Sequence, residues 1–204
     1  MRLLRAAVAM AAMFLAAGCL PVTSKTPVGT TAGLDADEAL TGTWIGRAED
    51  QEDKSRKKDK GVLYLHFLKD KDAGGFSVLW AATGDGKDNG EWMSFKVGTA
   101  RLGTNRYMNA VETGKDGKPV DGALKDASFP LLYSFGRHHR LTLYMLDEDK
   151  VKAAIKAAKI AGTVESGDYG DVKITAEPAA LDAFMATPEA AALFKVFIVL
   201  KRAE

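Results

Sequence analysis

The alternation of apolar and polar positions predicts strands over most of the chain. Residues 61–69 are apolar at nearly every position, which is typical of a strand covered on both faces. Residues 75–82 and 91–98 place apolar side chains at every second position, as strands with one buried face do. Between them, residues 84–90 contain Asn89-Gly90, a pair that favours a tight hairpin turn.

The predicted strands share apolar, β-branched or aromatic residues bounded by turn-forming segments. They comprise residues 41–48, 61–69, 75–82, 91–98, 105–112, 129–136, 140–146, 171–177 and 194–202. Two segments between strands predict loops. Residues 48–61 form a mixed charge run that is typical of a solvated loop, and residues 113–122 are rich in Gly, Lys and Asp.

The apolar period changes to that of a helix after residue 146. Residues 147–162 predict the longest helix, with an aspartate capping its start and Gly162 ending it. Pro178 opens a second, short helix, and Thr187 followed by Pro188 indicates a further helix start. Helical structure is therefore expected only in the C-terminal third.

These elements predict one α+β domain, rich in β-structure, over residues 39–204. An antiparallel barrel or a strongly curved sheet is the expected architecture, because closing a sheet removes its exposed strand edges. The two helices of the C-terminal third would cover an open end or one face. Residues 19–38 contain Pro, Thr and Gly without apolar periodicity, so they predict a flexible tether before the domain.

The composition is that of a globular protein, with 47% hydrophobic and 27% charged residues. The formal net charge is +1, and two basic residues, Arg2 and Arg5, lie in the N-terminal segment described next. A domain so close to neutral argues against a nucleic-acid partner, because phosphate binding needs a basic face. The single cysteine excludes an intrachain disulfide and a metal site built on several thiolates.

Residues 1–18 have the plan of an export signal. Arg2 and Arg5 form a short basic segment, and residues 6–17 follow as a continuous apolar run. This run is shorter than the about 20 residues that a permanent membrane-spanning helix needs. The N-terminus therefore predicts a cleavable leader.

Residues 15–19, LAAGC, resemble the lipobox of bacterial lipoproteins, with the usual leucine one place early at Leu15. The resemblance implies cleavage between Gly18 and Cys19, a diacylglyceryl group on the Cys19 thiol and an acyl chain on its new amino group. No other cofactor is expected. Two or three chains anchor a protein stably, since each buried methylene contributes about 0.8 kcal/mol. The alternative is an ordinary export signal with a chance cysteine.

The same resemblance implies a location in the bacterial cell envelope. In enterobacteria, an aspartate after the lipidated cysteine favours retention in the inner membrane, and this chain has Leu20 there. The expectation is therefore an outer-membrane anchor, with the domain in the periplasm and the lipid bilayer as a partner.

Gly42-Thr43-Trp44 at the first predicted strand resembles the G-x-W start of lipocalins and related barrels. The resemblance implies that Trp44 closes the barrel floor and that a basic residue of the last strand packs over its indole. Lys201 or Arg202 stands at that place, and Arg202 shares a face with the apolar residues of the strand. Such a contact contributes about 0.5–2 kcal/mol. The alternative is that Trp44 is an ordinary core aromatic.

The sequence lacks the common catalytic motifs, so no catalytic or metal-ligating residue is predicted. His66 is interpreted as a residue of the barrel wall. His138 and His139 fall in a predicted turn between arginines, either as a solvated basic turn or as a contact for acidic lipid headgroups or a negatively charged partner. Asp85 and Asp88 do not have the spacing of a calcium loop and are interpreted as turn residues.

Four aromatic residues on two neighbouring strands are the candidate ligand-facing set: Phe76, Trp80, Trp92 and Phe95. They either line a cavity for an apolar ligand or fill the core. The first functional hypothesis is a non-catalytic envelope lipoprotein that binds an apolar ligand or an envelope partner. The second is a structural or assembly role with a filled core and a protein-binding surface. The third is a hydrolase without a known motif.

Overall fold

The computed structural model describes six stretches of the chain: residues 21–47, 61–71, 74–83, 90–120, 127–165 and 171–203. Four predicted features lie outside them: the leader, Cys19, the charge run of residues 48–60 and the turn residues 84–89.

The described strands carry most of the fold. In chain order they are β1 (Thr23–Ser24), β2 (Gly42–Arg47), β3 (Val62–Lys69), β4 (Phe76–Thr83), β5 (Glu91–Leu102), β6 (Asn105–Lys115), β7 (Lys118–Pro119), β8 (Phe129–Gly136), β9 (Arg140–Leu146), β10 (Gly162–Val164), β11 (Val172–Ile174) and β12 (Phe194–Arg202). The helices are α1 (Glu148–Lys156), α2 (Pro178–Met185) and α3 (Pro188–Ala191), with a 3₁₀ turn at Glu38–Leu40.

Eight of these strands form a closed antiparallel barrel. They pair in the circular order β2, β3, β4, β5, β6, β8, β9 and β12, and β12 returns to β2. Alternate side chains point inward, so one face of each strand fills the interior. The expectation of a β-rich α+β fold with an antiparallel barrel and helices in the C-terminal third is confirmed.

A second layer covers part of the outside of the barrel. β1, β11 and β10 form a small sheet, in which β1 runs parallel to β11. Together with α1 and α2 it buries a second apolar cluster against the barrel wall, where Tyr107, Leu146 and Phe194 supply the barrel side. The helices therefore pack on the wall of the barrel.

The prediction of a flexible tether over residues 19–38 is wrong from residue 21 onward. Val22 and Val28 are buried in the second cluster, and β1 pairs with β11. The Asn109 side chain pairs with the backbone of Val28 as a neighbouring strand would. It accepts from the Val28 amide at 2.7 Å and donates to the Val28 carbonyl at 2.8 Å. Isolated contacts of this kind leave no periodic pattern in the sequence. The folded domain therefore begins before residue 39.

The predicted loop of residues 113–122 contains a tight hairpin. β6 continues to Lys115 and turns through Asp116 and Gly117, whose φ angles of 48° and 79° are both left-handed. β7 then pairs back onto β6. An Asp-Gly pair is well suited to such a turn, because glycine adopts positive φ without strain and aspartate tolerates it.

The longest helix is shorter than predicted. α1 begins after Asp147, whose carboxylate accepts from the Lys150 amide at 3.3 Å, and it ends at Lys156. Gly162 does not end the helix but starts β10, where a β-carbon would lie 2.5 Å from a side-chain carbon of Ile155. The close approach of β10 to α1 requires the glycine.

Candidate ligand-binding cavity

One end of the barrel is closed by Trp44. Its indole is 2% exposed and donates to the Leu40 carbonyl at 2.7 Å, so the 3₁₀ turn lies across this end. The guanidinium carbon of Arg202 lies 4.6 Å from the indole centre. The same guanidinium donates to the carbonyls of Thr41 at 2.8 Å and Ala39 at 2.6 Å. We call this the closed end.

The Asp37 carboxylate forms a second set of polar contacts at the closed end. The Asp37 carboxylate accepts from the Tyr133 hydroxyl at 2.9 Å and from the Arg106 guanidinium at 3.3 Å. Arg106 also lies 5.3 Å from the centre of the Phe135 ring. Burial, together with the hydrogen bond to Asp37, raises the pKa of the Tyr133 phenol. The phenol therefore stays protonated and donates to Asp37 throughout the neutral range.

The other half of the barrel interior holds a cavity of about 230 Å³. Its walls come from β3, β4, β5, β6, β8, β9 and β12 and are almost entirely apolar. The lining side chains are Pro21, Val22, Leu65, Phe67, Val78, Trp80, Met93, Phe95, Val97, Met108, Ala110, Glu112, Lys115, Phe129, Pro130, Leu131, Leu143, Met145, Leu146 and Phe197.

Pro21, Glu112 and Lys115 are among the partly exposed lining residues, and they mark where the cavity reaches the surface. This mouth lies at the end of the barrel opposite Trp44, because β6 runs from the closed end at Arg106 to Lys115. Burial raises the pKa of the Glu112 carboxyl, and the nearby Lys115 charge opposes the shift. Lys115 also pairs with Glu91 at 3.4 Å. The mouth therefore presents charges of both signs above an apolar interior.

The volume limits what the cavity can hold. An apolar cavity of about 150 Å³ stays dry and takes up benzene, whereas pockets for drug-sized ligands begin at about 300 Å³. The 230 Å³ found here lies between these values. The space therefore suits a small apolar molecule or part of one hydrocarbon chain.

The structure divides the four candidate ligand-facing aromatics into three groups. Trp80 and Phe95 line the cavity, and Trp80 stacks on Phe197 with ring centres 5.9 Å apart. Phe76 is fully buried nearer the closed end, edge-on to Phe67. Trp92 lies on the outer face of β5 with 40% of its surface exposed and does not line the cavity, because neighbouring residues of a strand point to opposite faces.

Sequence reasoning missed several lining residues, among them Met93, Met108, Phe129 and Phe197. Met93 falls on the same face of β5 as Phe95, so strand alternation was a usable signal for it. Phe197 lies at the irregularity between Val196 and Ile198 in the pairing of β12 with β9. A bulge interrupts the alternation, so its direction was not readable from spacing.

The histidines lie away from the cavity. His66 is on the outer face of β3, where its Nδ1 lies 2.6 Å from the Thr43 hydroxyl oxygen. His138 and His139 form the exposed turn between β8 and β9, and both have positive φ, 57° and 53°. Within the described stretches there is no cluster of three or more His, Cys, Asp or Glu side chains suited to a metal ion. No helix in those stretches is long and apolar enough to cross a membrane.

Comparison with known proteins returned no match, whether to a protein-family model, to a curated protein or to a solved structure.

Proposed function

We propose that this chain is a lipid-anchored bacterial envelope protein whose barrel binds an apolar ligand without catalysing a reaction. The observation that carries the proposal is the 230 Å³ interior cavity, in which Glu112 and Lys115 are the only charged residues among the described ones that line it. Apolar walls with a few polar groups at the entrance are typical of sites for hydrophobic small molecules. The ligand is an apolar molecule or chain that keeps any polar group at the mouth.

The closed end supports a relationship to lipocalin-like barrels. Trp44 follows Gly42 in the first barrel strand, and Arg202 of the last barrel strand lies over its indole. This is the arrangement that the G-x-W resemblance implies. We propose that the chain is a distant or convergent variant of that barrel type, with an added outer layer of β10, β11 and the helices.

The anchor rests on the sequence. The lipobox-like residues 15–19 support cleavage before Cys19 and lipidation of its thiol and amino group, and Leu20 supports the outer membrane. Replacing Cys19 with Ala should abolish processing at this site and lipid attachment. Intact mass of the native protein checks both. A mature product with a bare Cys19 thiol would overturn the anchor and leave the cavity proposal in place.

Ligand binding is tested with the unlipidated mature chain, residues 19–204 carrying Cys19→Ser. We expect one molecule of the fluorescent probe N-phenyl-1-naphthylamine to bind per chain. Ala110→Leu places a larger side chain in the cavity and should weaken probe binding by about tenfold, or 1.4 kcal/mol. Val78→Phe, at a cavity-lining position of β4, provides a second filling variant.

The matched control is Ala153→Leu, which adds the same atoms to the exposed face of α1, away from the cavity lining. It should leave the probe affinity unchanged. Thermal unfolding of each variant checks that the barrel has folded. Saturable binding that survives both filling variants, or no binding by the folded protein, would contradict the proposal.

An exposed apolar row on the outer wall favours a second candidate function, docking of an envelope protein. Tyr64, Ala81 and Trp92 are direct neighbours across β3, β4 and β5, and Leu79 lies beside them. Tyr64 and Trp92 are 38% and 40% exposed. Contiguous apolar side chains on a surface are typical of interaction sites.

Cross-linking in intact envelopes distinguishes the two functions. A docking role predicts one defined cross-linked product that is lost in the double variant Tyr64→Ser, Trp92→Ser and retained in Ala110→Leu. A product that the double variant still forms would remove the outer row as its origin. The third hypothesis, a hydrolase, gains no support from His66, whose Nδ1 contacts the Thr43 hydroxyl on the outer wall of the barrel.

A further inference from the structure

We propose that the acyl chain on the amino group of Cys19 occupies the barrel cavity of its own molecule. The inference rests on the proposed function, because it takes both the lipidation of Cys19 and the binding capacity of the cavity as given. It adds the identity of the ligand, a covalently attached hydrocarbon chain, and the route by which the chain enters.

The first argument is the position of the N-terminal segment. Pro21 and Val22 are themselves part of the cavity lining, at its mouth. Cys19 lies outside the described residues, but in the sequence it stands only two positions before Pro21, with Leu20 between them. Two residues of extended chain span at most about 7 Å. Covalent connectivity alone therefore limits how far an acyl chain attached at Cys19 can start from the mouth.

The second argument is that this segment is held in place. The Asn109 side chain hydrogen-bonds both the amide and the carbonyl of Val28. Asp182 of α2, 5% exposed, accepts from the amide of Gly29 at 2.6 Å and from the amide and hydroxyl of Thr31 at 2.9 and 2.5 Å. Without a long tether, the folded domain must lie against the bilayer with its mouth near the lipid surface.

The third argument concerns chain number and volume. The cavity of about 230 Å³ accepts part of one hydrocarbon chain and excludes three. Removing a methylene from water is similarly favourable in a bilayer and in an apolar cavity, so moving one chain between them changes the free energy little. The two chains on the Cys19 thiol are enough to keep the protein anchored.

The fourth argument is effective concentration. A chain attached two residues from the mouth enters by an intramolecular step, and short linkers give effective concentrations in the millimolar range. A free ligand or a phospholipid chain must compete with it. The covalent chain is therefore the occupant that the connectivity favours.

The decisive experiment uses the native lipidated protein in its membrane. Cells are grown on a fatty acid that carries a photoreactive diazirine near its methyl end, and the envelope is irradiated. We expect mass spectrometry to find the Cys19 peptide joined through its acyl chain to a peptide from the cavity wall, such as one containing Met108 or Leu143. Ala110→Leu should lower the yield of this product by about tenfold, and Ala153→Leu, on the exposed face of α1, should not.

The other outcomes separate the two proposals. A cavity peptide that carries a phospholipid would overturn the inference and support the general binding function. Adducts of Cys19 chains only with membrane lipids would also overturn it. Failure of the unlipidated Cys19→Ser chain to bind N-phenyl-1-naphthylamine would instead remove the proposed cavity function, whatever the cross-linking shows.

Discussion

Arg202 lies over the indole of Trp44, with 4.6 Å between its guanidinium carbon and the ring centre, and the two residues are direct partners in the pairing of β12 with β2. The contact therefore joins the last strand of the barrel to the first. The two hydrogen bonds from Arg202 to Thr41 and Ala39 extend the connection to the chain that enters the barrel. The Arg202 side chain thus connects the β12–β2 pairing, which closes the barrel, to the closed end.

Replacing Arg202 with Ala should lower the free energy of unfolding by about 1–3 kcal/mol, because the cation–π contact and two hydrogen bonds are lost together. Arg202→Lys keeps the charge but not the planar fork, so we expect an intermediate loss. Urea unfolding measures both. Arg137→Ala, in the exposed turn before β9, is the matched control and should change stability by less than about 0.5 kcal/mol. Equal effects at both arginines would contradict the closing role.

Asp182 should hold the N-terminal segment on the domain. Replacing it with Ala leaves the donors of Gly29 and Thr31 without their acceptor, and we expect a loss of about 2–4 kcal/mol in unfolding free energy. Hydrogen exchange should increase selectively over residues 22–31. Asp149→Ala, at an exposed site on α1, is the control. A uniform increase in exchange over the whole barrel would show that Asp182 acts on global stability alone.

Glu112 should make stability depend on pH at the cavity mouth. Burial raises the pKa of its carboxyl above the ordinary value of 4.5, so the ionised form is disfavoured in the folded state. The resulting loss of stability is absent below pH 4.5 and develops as the pH rises through the raised pKa. Glu112→Gln should therefore be more stable than the unsubstituted protein at neutral pH and equally stable in acid.

The Lys115 charge at the mouth provides a second test of this pH dependence. Lys115 opposes the upward shift of the Glu112 pKa, so Lys115→Met should raise that pKa further and move the transition to higher pH. Urea unfolding as a function of pH locates the transition in each variant. A stability difference between Glu112→Gln and the unsubstituted protein that does not vary with pH would contradict this account.

The turn between β8 and β9 should be strained. His138 and His139 both have left-handed backbone, which costs residues with a β-carbon about 1 kcal/mol or more each. The double variant His138→Asn, His139→Gly should therefore raise the free energy of unfolding by about 1 kcal/mol. Asp116 also has a left-handed backbone, and Asp116→Gly relieves the same kind of strain. This variant additionally removes the carboxylate that accepts from the Trp92 amide at 3.0 Å, so the two effects oppose each other. Asp116→Gly should bring no gain.

Strand positions were readable from the sequence because each barrel strand has one face in the core. β8, β9 and β12 begin and end where the apolar pattern predicts them. The helix starts at α2 and α3 were readable from Pro178 and from the Thr187 cap, whose hydroxyl accepts from the Ala190 amide at 3.2 Å. These are local preferences that the chain carries without reference to distant residues.

The cavity was only partly predictable. Trp80 and Phe95 were among the candidates, but a pattern of inward residues does not reveal whether their side chains meet or leave space between them. That outcome depends on the diameter of the barrel and on the sizes of side chains from seven strands. Trp92 was also a candidate, but it lies on the outer face of the barrel. A large aromatic residue is therefore not by itself evidence of an inward position.

The barrel strands, the helix starts and the β-rich class could be read from the sequence alone, because periodicity, caps and short motifs are properties of neighbouring residues. The lipidation of Cys19 stays a prediction from a signal of the same local kind. Three features became visible only in the folded molecule: the sheet closes through β5 and β6, a cavity remains inside it, and residues 21–31 fold onto the domain. These features depend on contacts between residues far apart in the chain. The hydrogen bonds from Gly29 and Thr31 to Asp182 join residues some 150 positions apart, and no local sequence pattern predicts them.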